Sequence, residues 1–406
     1  MRKYLSTRGP ARTTLATLSI VGLTLVTLYP AASRAQSSAT LYGIVDEGFM
    51  LNTNAAGKRQ YALTSGNMSG SRWGLRGTED LGGGLTAVFT IEGGYNGSTG
   101  ALGQGGTLFG RQVFVGLSSP NLGTFTFGRQ YPISYDYVGV LTAGGLWALG
   151  GAGFGAHPAD LDDMAGSERI NNSIKYKSPT YRGLSFGAMY SLGGTAGDFS
   201  RNSFYSMAVG YLNGPISLGA EYSMARTPNF SVFGNNASSS TTAVNMSGPV
   251  ISGLASAGSL ETVGIGGSYQ IGLATVSAVY THSSFNNLGS TVVSGASSTV
   301  RGKTAVFNIG EVNLRYMITP SVMLGAAYAY TSAGSLAGRD GAVYSQCDFG
   351  VDYLLSKRTD LYAMGVYQSA SGYDSTGKKA VASLAYATPS TSNRQLITVI
   401  GMRHRF

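Results

Sequence analysis

A single cysteine, Cys347, stands among 406 residues, so the chain can form neither an intramolecular disulfide nor a thiolate metal cluster. Histidine is almost as scarce. His157, His282 and His404 lie far apart and offer no pair at metal-binding spacing, so neither a metal nor another cofactor is expected. Charge is thin: Asp, Glu, Lys and Arg make up 12% of the chain, about half the usual share for a soluble domain. Beyond residue 28 no apolar run reaches the ~18 residues that a membrane-spanning helix needs. A basic run interleaved with aromatics is also missing, which removes the nucleic-acid partner that a net charge of +9 would invite.

What the chain does hold is glycine (60), tyrosine (25) and 43% apolar residues finely interleaved with small and polar ones. The first 35 residues read as a secretory signal. Arg2, Lys3, Arg8 and Arg12 precede an apolar stretch from Leu15 to Leu28, and Ala31-Ala-Ser-Arg-Ala35 offers a small-residue cleavage site. Cleavage is expected after Ala35. Five basic residues and no acidic one would leave with it, so the mature chain, 36–406, carries 23 basic against 19 acidic residues. Its net charge is then +4.

Several segments of that mature chain are near copies of one another. Leu184-Ser-Phe-Gly-Ala-Met-Tyr190, Ile216-Ser-Leu-Gly-Ala-Glu-Tyr222 and Val322-Met-Leu-Gly-Ala-Ala-Tyr328 share one template. Side chains alternate faces along a strand, so Leu184, Phe186, Ala188 and Tyr190 oppose Ser185, Gly187, Met189 and Ser191. One face is apolar and often ends in tyrosine, as a membrane-interface girdle requires; the other is small and polar. Sixteen such strands are predicted, near 40–52, 71–80, 85–96, 111–118, 123–130, 171–178, 184–192 and 203–212. The second eight follow near 216–225, 261–270, 274–284, 303–318, 322–331, 342–355, 359–369 and 393–406. Tight Gly, Pro and Asn turns such as Asp80–Gly84 and Gln270–Gly272 alternate with long connections near 53–70, 97–110, 131–170, 226–260 and 285–302. Short turns on one side and long loops on the other are the outer-membrane arrangement. Backbone polar groups in lipid must be paired within the protein, so the sheet must close. The fold class is therefore all-β: a sixteen-stranded antiparallel transmembrane barrel, wide enough for a wet lumen.

Thr40-Leu-Tyr-Gly-Ile-Val-Asp46, Ser71-Arg-Trp-Gly-Leu-Arg-Gly-Thr-Glu-Asp-Leu-Gly-Gly-Gly-Leu85, Phe127-Gly-Arg-Gln-Tyr131, Arg169-Ile-Asn-Asn-Ser-Ile-Lys-Tyr176 and the terminal Phe406 stand in an order that is quite specific. Together they resemble the general diffusion porins of Gram-negative bacteria, in the branch typical of β-proteobacteria, over nearly the whole mature chain. The resemblance implies a homotrimer in outer-membrane lipid and lipopolysaccharide, one pore per subunit, and a third external loop folded inward. It also implies periplasmic chaperones and the barrel-assembly machinery as partners, with Phe406 as the assembly signal. Arg72, Arg111 and Arg169 match the basic cluster of the family's constriction.

The residues themselves add to that set. Forty structureless residues at 131–170 call for an explanation, and folding into the lumen supplies one. This segment carries Asp160, Asp162 and Asp163, expected as the acidic side of the constriction, with Asp136 and Glu168 near its ends. Alternation turns Arg72 and Arg76 inward beside lipid-facing Trp73 and Leu75, and Lys175 inward beside Ile174 and Tyr176. Glu92 and Glu221 face inward by the same rule. For Arg111 two placements stand: parity with Val113 and Val115 puts it outward at the rim, and the ~2–4 kcal/mol cost of mid-depth charge on the lipid face favours the lumen if it lies deep. Glu47 falls on the outward face beside Val45 and Phe49.

A pore for small hydrophilic solutes, filtering by size and charge and leaning slightly toward anions, is the function expected. Two alternatives remain: a sugar or peptide channel lined by Tyr131, Tyr135, Tyr137, Trp147 and Phe154, and an adhesin or phage receptor acting through the external loops. Gly183-Leu-Ser-Phe-Gly187 spells a hydrolase string, but it lies inside an alternating strand with no following helix, so no enzyme activity is expected.

Overall fold

The computed structural model describes residues 38–295 and 300–406; the proposed leader, 1–35, lies outside the described residues. The strands are β1 (Ser38–Ala55), β2 (Lys58–Ser65), β3 (Arg72–Gly82), β4 (Leu85–Gly94), β5 (Gln112–Ser119) and β6 (Gly123–Gln130). They continue with β7 (Ile170–Lys177), β8 (Leu184–Ser191), β9 (Phe204–Asn213), β10 (Ile216–Arg226), β11 (Ser259–Ile271) and β12 (Ala274–Asn286). The last five are β13 (Ala305–Thr319), β14 (Val322–Ala333), β15 (Val343–Leu354), β16 (Thr359–Ser371) and β17 (Arg394–Arg405).

All pairings between the named strands are antiparallel: each strand from β3 to β17 pairs with its sequence neighbour, β1 pairs with both β2 and β3, and β1 pairs with β17 from Ile44↔Arg405 to Asn52↔Ile397, which closes the sheet. Seventeen segments fill sixteen barrel positions, because β2 and β3 are two halves of one strand. The upper half of β1 pairs with β2 (Glu47↔Ser65) and its lower half with β3 (Ile44↔Arg72). Between them Gly66–Ser71 leaves the wall toward the lumen, held by the Asp46 carboxylate, which accepts from the amides of Met68 and Ser69 at 2.9 and 2.8 Å. This corrects the expected long loop at 53–70. The actual turn is Ala56–Gly57, both at positive φ, and Lys58–Ser65 is wall.

Alternation sets the faces as expected. In β8, Leu184 and Phe186 are exposed toward lipid while Gly187, Met189 and Ser191 are buried inside. The apolar core lies within the barrel, where the loops pack on the wall. Trp147, Leu149 and Phe154 of the 131–169 loop meet Met323, Tyr362, Met364 and Val399 of the far wall. Leu161 joins a second cluster with Phe233, Phe285, Phe307 and Ile309.

Glu47 does face outward. Its carboxylate accepts from Ser98 Oγ at 2.6 Å, and Tyr95 Oη donates to the Ile44 carbonyl at 3.0 Å, so residues 95–98 fold back against β1.

Candidate functional site: the lumen constriction

The third external loop, residues 131–169, enters the barrel and crosses it. Two short helices, α1 (Ile133–Tyr137) and α2 (Ala143–Leu146), and a tight turn at Pro158–Asp160 shape it. Its glycines let backbone approach backbone: a Cβ on Gly150 would collide with the Gly144 carbonyl, and one on Gly151 with the Gly66 carbonyl. Three anchors fix the loop. On the near wall Asp136 pairs with Lys175 at 2.6 Å and Lys177 at 3.3 Å. On the far wall buried His157 bridges Asp162 (Nδ1, 2.7 Å) and Glu311 of β13 (Nε2, 3.2 Å). Glu311 also accepts from the Ala143 amide at 2.7 Å, and Thr281 of β12 donates to Asp162 at 2.6 Å. Third, the Ala152 amide donates to Asn67 of the Gly66–Ser71 excursion at 3.0 Å.

What remains open beside the loop is a passage of about 430 Å³. Arg72, Arg111, Arg129 and Arg169 line it together with Met68–Gly70, Gly150–Gly153, Glu168, Tyr131, Tyr135 and Tyr386. Arg72 projects inward from β3. Arg111 precedes β5, so strand parity stops applying to it. The bend at 110–111 turns it into the lumen, where it is 6% exposed and donates to Glu92 Oε1 at 2.8 Å and Tyr131 Oη at 2.6 Å. The rim placement is thereby overturned. Arg129 reaches the passage because β6 is irregular at Gly128 (φ 141), where its register with β7 shifts. A glycine inside a strand pattern is the signal that marks such a bulge.

The partners of these guanidiniums decide the field. Only Arg111 has a close carboxylate; Arg72 lies 3.9 Å from the same Glu92. Arg72 is held by the Gly70 carbonyl (2.8 Å), Arg129 by the Gly110 carbonyl (2.8 Å) and the Asn171 amide oxygen (2.6 Å), and Arg169 by the Ser167 carbonyl (2.6 Å). Neutral acceptors fix direction and leave the positive charge uncancelled.

The expected acidic side is not there. Asp160 accepts from the amides of Ala165 and Ser167, Asp163 from the Glu168 amide, and Asp162 belongs to the His157 anchor. None of the three lines the passage; they staple the loop together. Short loops with unpaired amides recruit aspartate for this purpose, and sequence alone does not separate that use from a lumen-facing one. Burial, then the neighbouring Asp160 and Glu168 charges, pushes Asp163 well above the usual carboxylate range. The acid that does line the passage is Glu168. Burial, only partly opposed by Arg169, pushes its carboxyl up to about 7. Arg76 and Lys175 also miss the constriction. They line a separate cavity of about 480 Å³ on the short-turn side of the loop, where Arg76 lies over the Tyr42 ring and Lys175 is neutralised by Asp136. Of the aromatic path, Trp147 and Phe154 are buried in packing, and only Tyr131 and Tyr135 reach the passage.

A family model described as Gram-negative porin matches residues 22–373. An outer membrane porin protein of Bordetella pertussis is 30% identical over 387 residues, 86% of this chain and 93% of its own. Outer membrane porin protein 32 of Delftia acidovorans is 30% identical over 393 residues, 92% and 96% of the two chains. Among solved structures, the anion-selective porin from Comamonas acidovorans superposes with a TM-score of 0.67 at 25% identity, covering 91% of this chain and 100% of that one.

Proposed function

The chain belongs to the Gram-negative porin family, as an outer-membrane pore for the passive diffusion of small hydrophilic solutes, and from that premise we propose that it favours anions at the arginine-lined passage. One observation carries the reading: Arg72, Arg129 and Arg169 are oriented by neutral oxygens rather than by carboxylates. With Glu92 and Glu168 ionised, four guanidiniums face two carboxylates. The low-dielectric walls of a narrow passage focus that excess on the permeating ion. The aspartates are withdrawn into the loop, so the bias exceeds the slight one expected when they were placed opposite the arginines. The anion selectivity of the Comamonas acidovorans porin points the same way.

The wider reading follows the family. Residues 1–35 are removed after Ala35, residues 36–406 form the barrel, and three copies assemble in outer-membrane lipid and lipopolysaccharide after delivery by periplasmic chaperones. Phe406 serves the barrel-assembly machinery. Planar-bilayer recording of the refolded mature chain under a salt gradient tests the core of it. Conductance steps grouped in threes with an anion-directed reversal potential are expected. A folded barrel without steps, or one with a strong cation preference, overturns it.

A further inference from the structure

Tyr131, the first residue after β6, stands where the guanidiniums converge. Its phenolic oxygen receives a hydrogen bond from Arg111 Nη2 at 2.6 Å and another from Arg169 Nη2 at 2.7 Å. No side chain among the described residues accepts one in return. A neutral phenol that accepts twice must still place its own proton, next to two cations that repel it; a phenolate accepts both bonds with no proton to place. The ring is held from both sides. It stacks on Tyr135 at 4.9 Å between centroids and 23° between planes, and the Arg169 guanidinium lies 4.5 Å from its centroid. Lys175 fixes the backbone by donating to the Tyr131 carbonyl at 2.9 Å.

We propose that Tyr131 ionises in the folded barrel and acts as a selectivity-determining residue, a phenolate clamped by Arg111 and Arg169 that cancels one positive charge of the passage. The inference rests on the reading of this passage as the constriction. The titratable and charged groups that face Tyr131 are Arg72 from β3, Glu92 from β4, Arg111 before β5, Arg129 from β6, and Tyr135 and Arg169 from the loop. Burial acts to raise the phenol, but Arg111, Arg169 and Arg72 outweigh it and Glu92, and bring it below the ordinary tyrosine value. The reciprocal effect appears on Arg169: burial pulls its guanidinium down, and Tyr131, followed by Asp163 and Glu168, overcomes that and raises it. The released proton leaves to water in the lumen, so no co-reactant is needed.

The passage then has two titrating acids of different kinds. Glu168 ionises around neutrality and Tyr131 below the ordinary tyrosine value, each lowering anion preference by one charge. A unit charge about 6 Å from a hydrated ion's path changes the anion-to-cation permeability ratio by about three- to tenfold.

The test uses the mature refolded barrel and the variant Tyr131→Phe, which keeps the ring on Tyr135 and loses the oxygen. Two readouts are taken from neutral pH to about pH 10: reversal potential in a salt gradient, and phenolate absorbance in the near ultraviolet. In the wild type, one tyrosine is expected to ionise before the remaining ones while anion preference falls. Y131F should lack that early ionisation and keep its anion preference. If Y131F does not fold, Arg169→Gln serves instead, and the early ionisation should move up toward the others. Absence of an early-ionising tyrosine in the wild type overturns the proposal, as does an alkaline loss of selectivity that persists in Y131F. A barrel that conducts nothing would sink the pore reading instead, and the absorbance titration would still report on Tyr131.

Discussion

At the scale of single residues, this passage is governed by what each arginine is paired with. Arg111 is tied to Glu92, so R111Q leaves a buried carboxylate with one hydrogen-bond donor, Tyr42, and a distant Arg72. Stranding a charge in that way costs several kcal/mol, whereas removing an arginine held by carbonyls strands only neutral acceptors. R111Q is therefore expected to lower the unfolding temperature of the barrel on heat-modifiability gels clearly more than R72Q does. Both should weaken anion preference, and equal thermal loss in the two would contradict the asymmetry. Glu168 gives the sharper experiment. Because its carboxyl is pushed up to about 7, it is neutral below that pH and anionic above it. Anion preference in the wild type should fall by about threefold as pH rises through neutrality, by the charge-at-distance argument. E168Q should abolish that step and hold the acid-side preference. Reversal potentials measured on both sides of pH 7 decide it.

At the scale of elements, the third external loop is a strap rather than a lid, since it is fastened at both walls. Its far anchor is the buried His157 between Asp162 and Glu311. Burial opposes the charge on His157, but the two carboxylates overcome it and raise the imidazole well above its ordinary value. The contribution of this anchor is therefore complete on the acid side of the ordinary histidine pKa and fades as pH rises through the elevated one. His157→Ala should let the loop fluctuate at every pH, read as larger open-channel current noise; the wild type should approach that noise only as pH rises through the elevated value. If H157A is as quiet as the wild type, the loop is held by its apolar packing and the other two anchors. Strands were legible in the sequence almost to the residue because lipid and lumen impose a period of two. Leu184–Ser191 and Val322–Ala333 announce their faces directly. Lys58–Ser65 was not legible. Neither of its faces runs apolar over enough residues, and the turn-rich Gly66–Ser71 that splits the strand reads like a loop on its own account. Arg111 escaped parity for a related reason: it sits one residue outside a strand, where the backbone bends and alternation ends. Which aspartates would turn inward depended on which loop amides needed acceptors, and that is a property of the folded loop.

At the scale of the whole molecule, the lumen divides into an arginine-lined passage above the strap and a vestibule below it lined by Arg76 and by Lys175 and Lys177, both paired with Asp136. Phe406 belongs to this scale. Its backbone exchanges two hydrogen bonds of 3.1 Å with Gly43, and its ring lies over that glycine, where any Cβ would collide. F406A is expected to reduce the folded barrel recovered from cell outer membranes while leaving spontaneous refolding in detergent micelles nearly intact. Equal loss in both settings would make Phe406 a packing residue and not an assembly signal.

The register Ile44↔Arg405 also has a consequence in time. A chain exported from its N-terminus presents β1 first and β17 last, so the first strand waits through the whole of translocation for the partner on its open side. Hairpins can form meanwhile, but each growing sheet keeps two unpaired borders, which other chains can join. Closing a loop that spans nearly the entire chain is the slow kind of contact. The barrel therefore gains its last seam all at once, after the final residues arrive, and a chain cut short of β17 forfeits that seam rather than losing stability in proportion to its missing length.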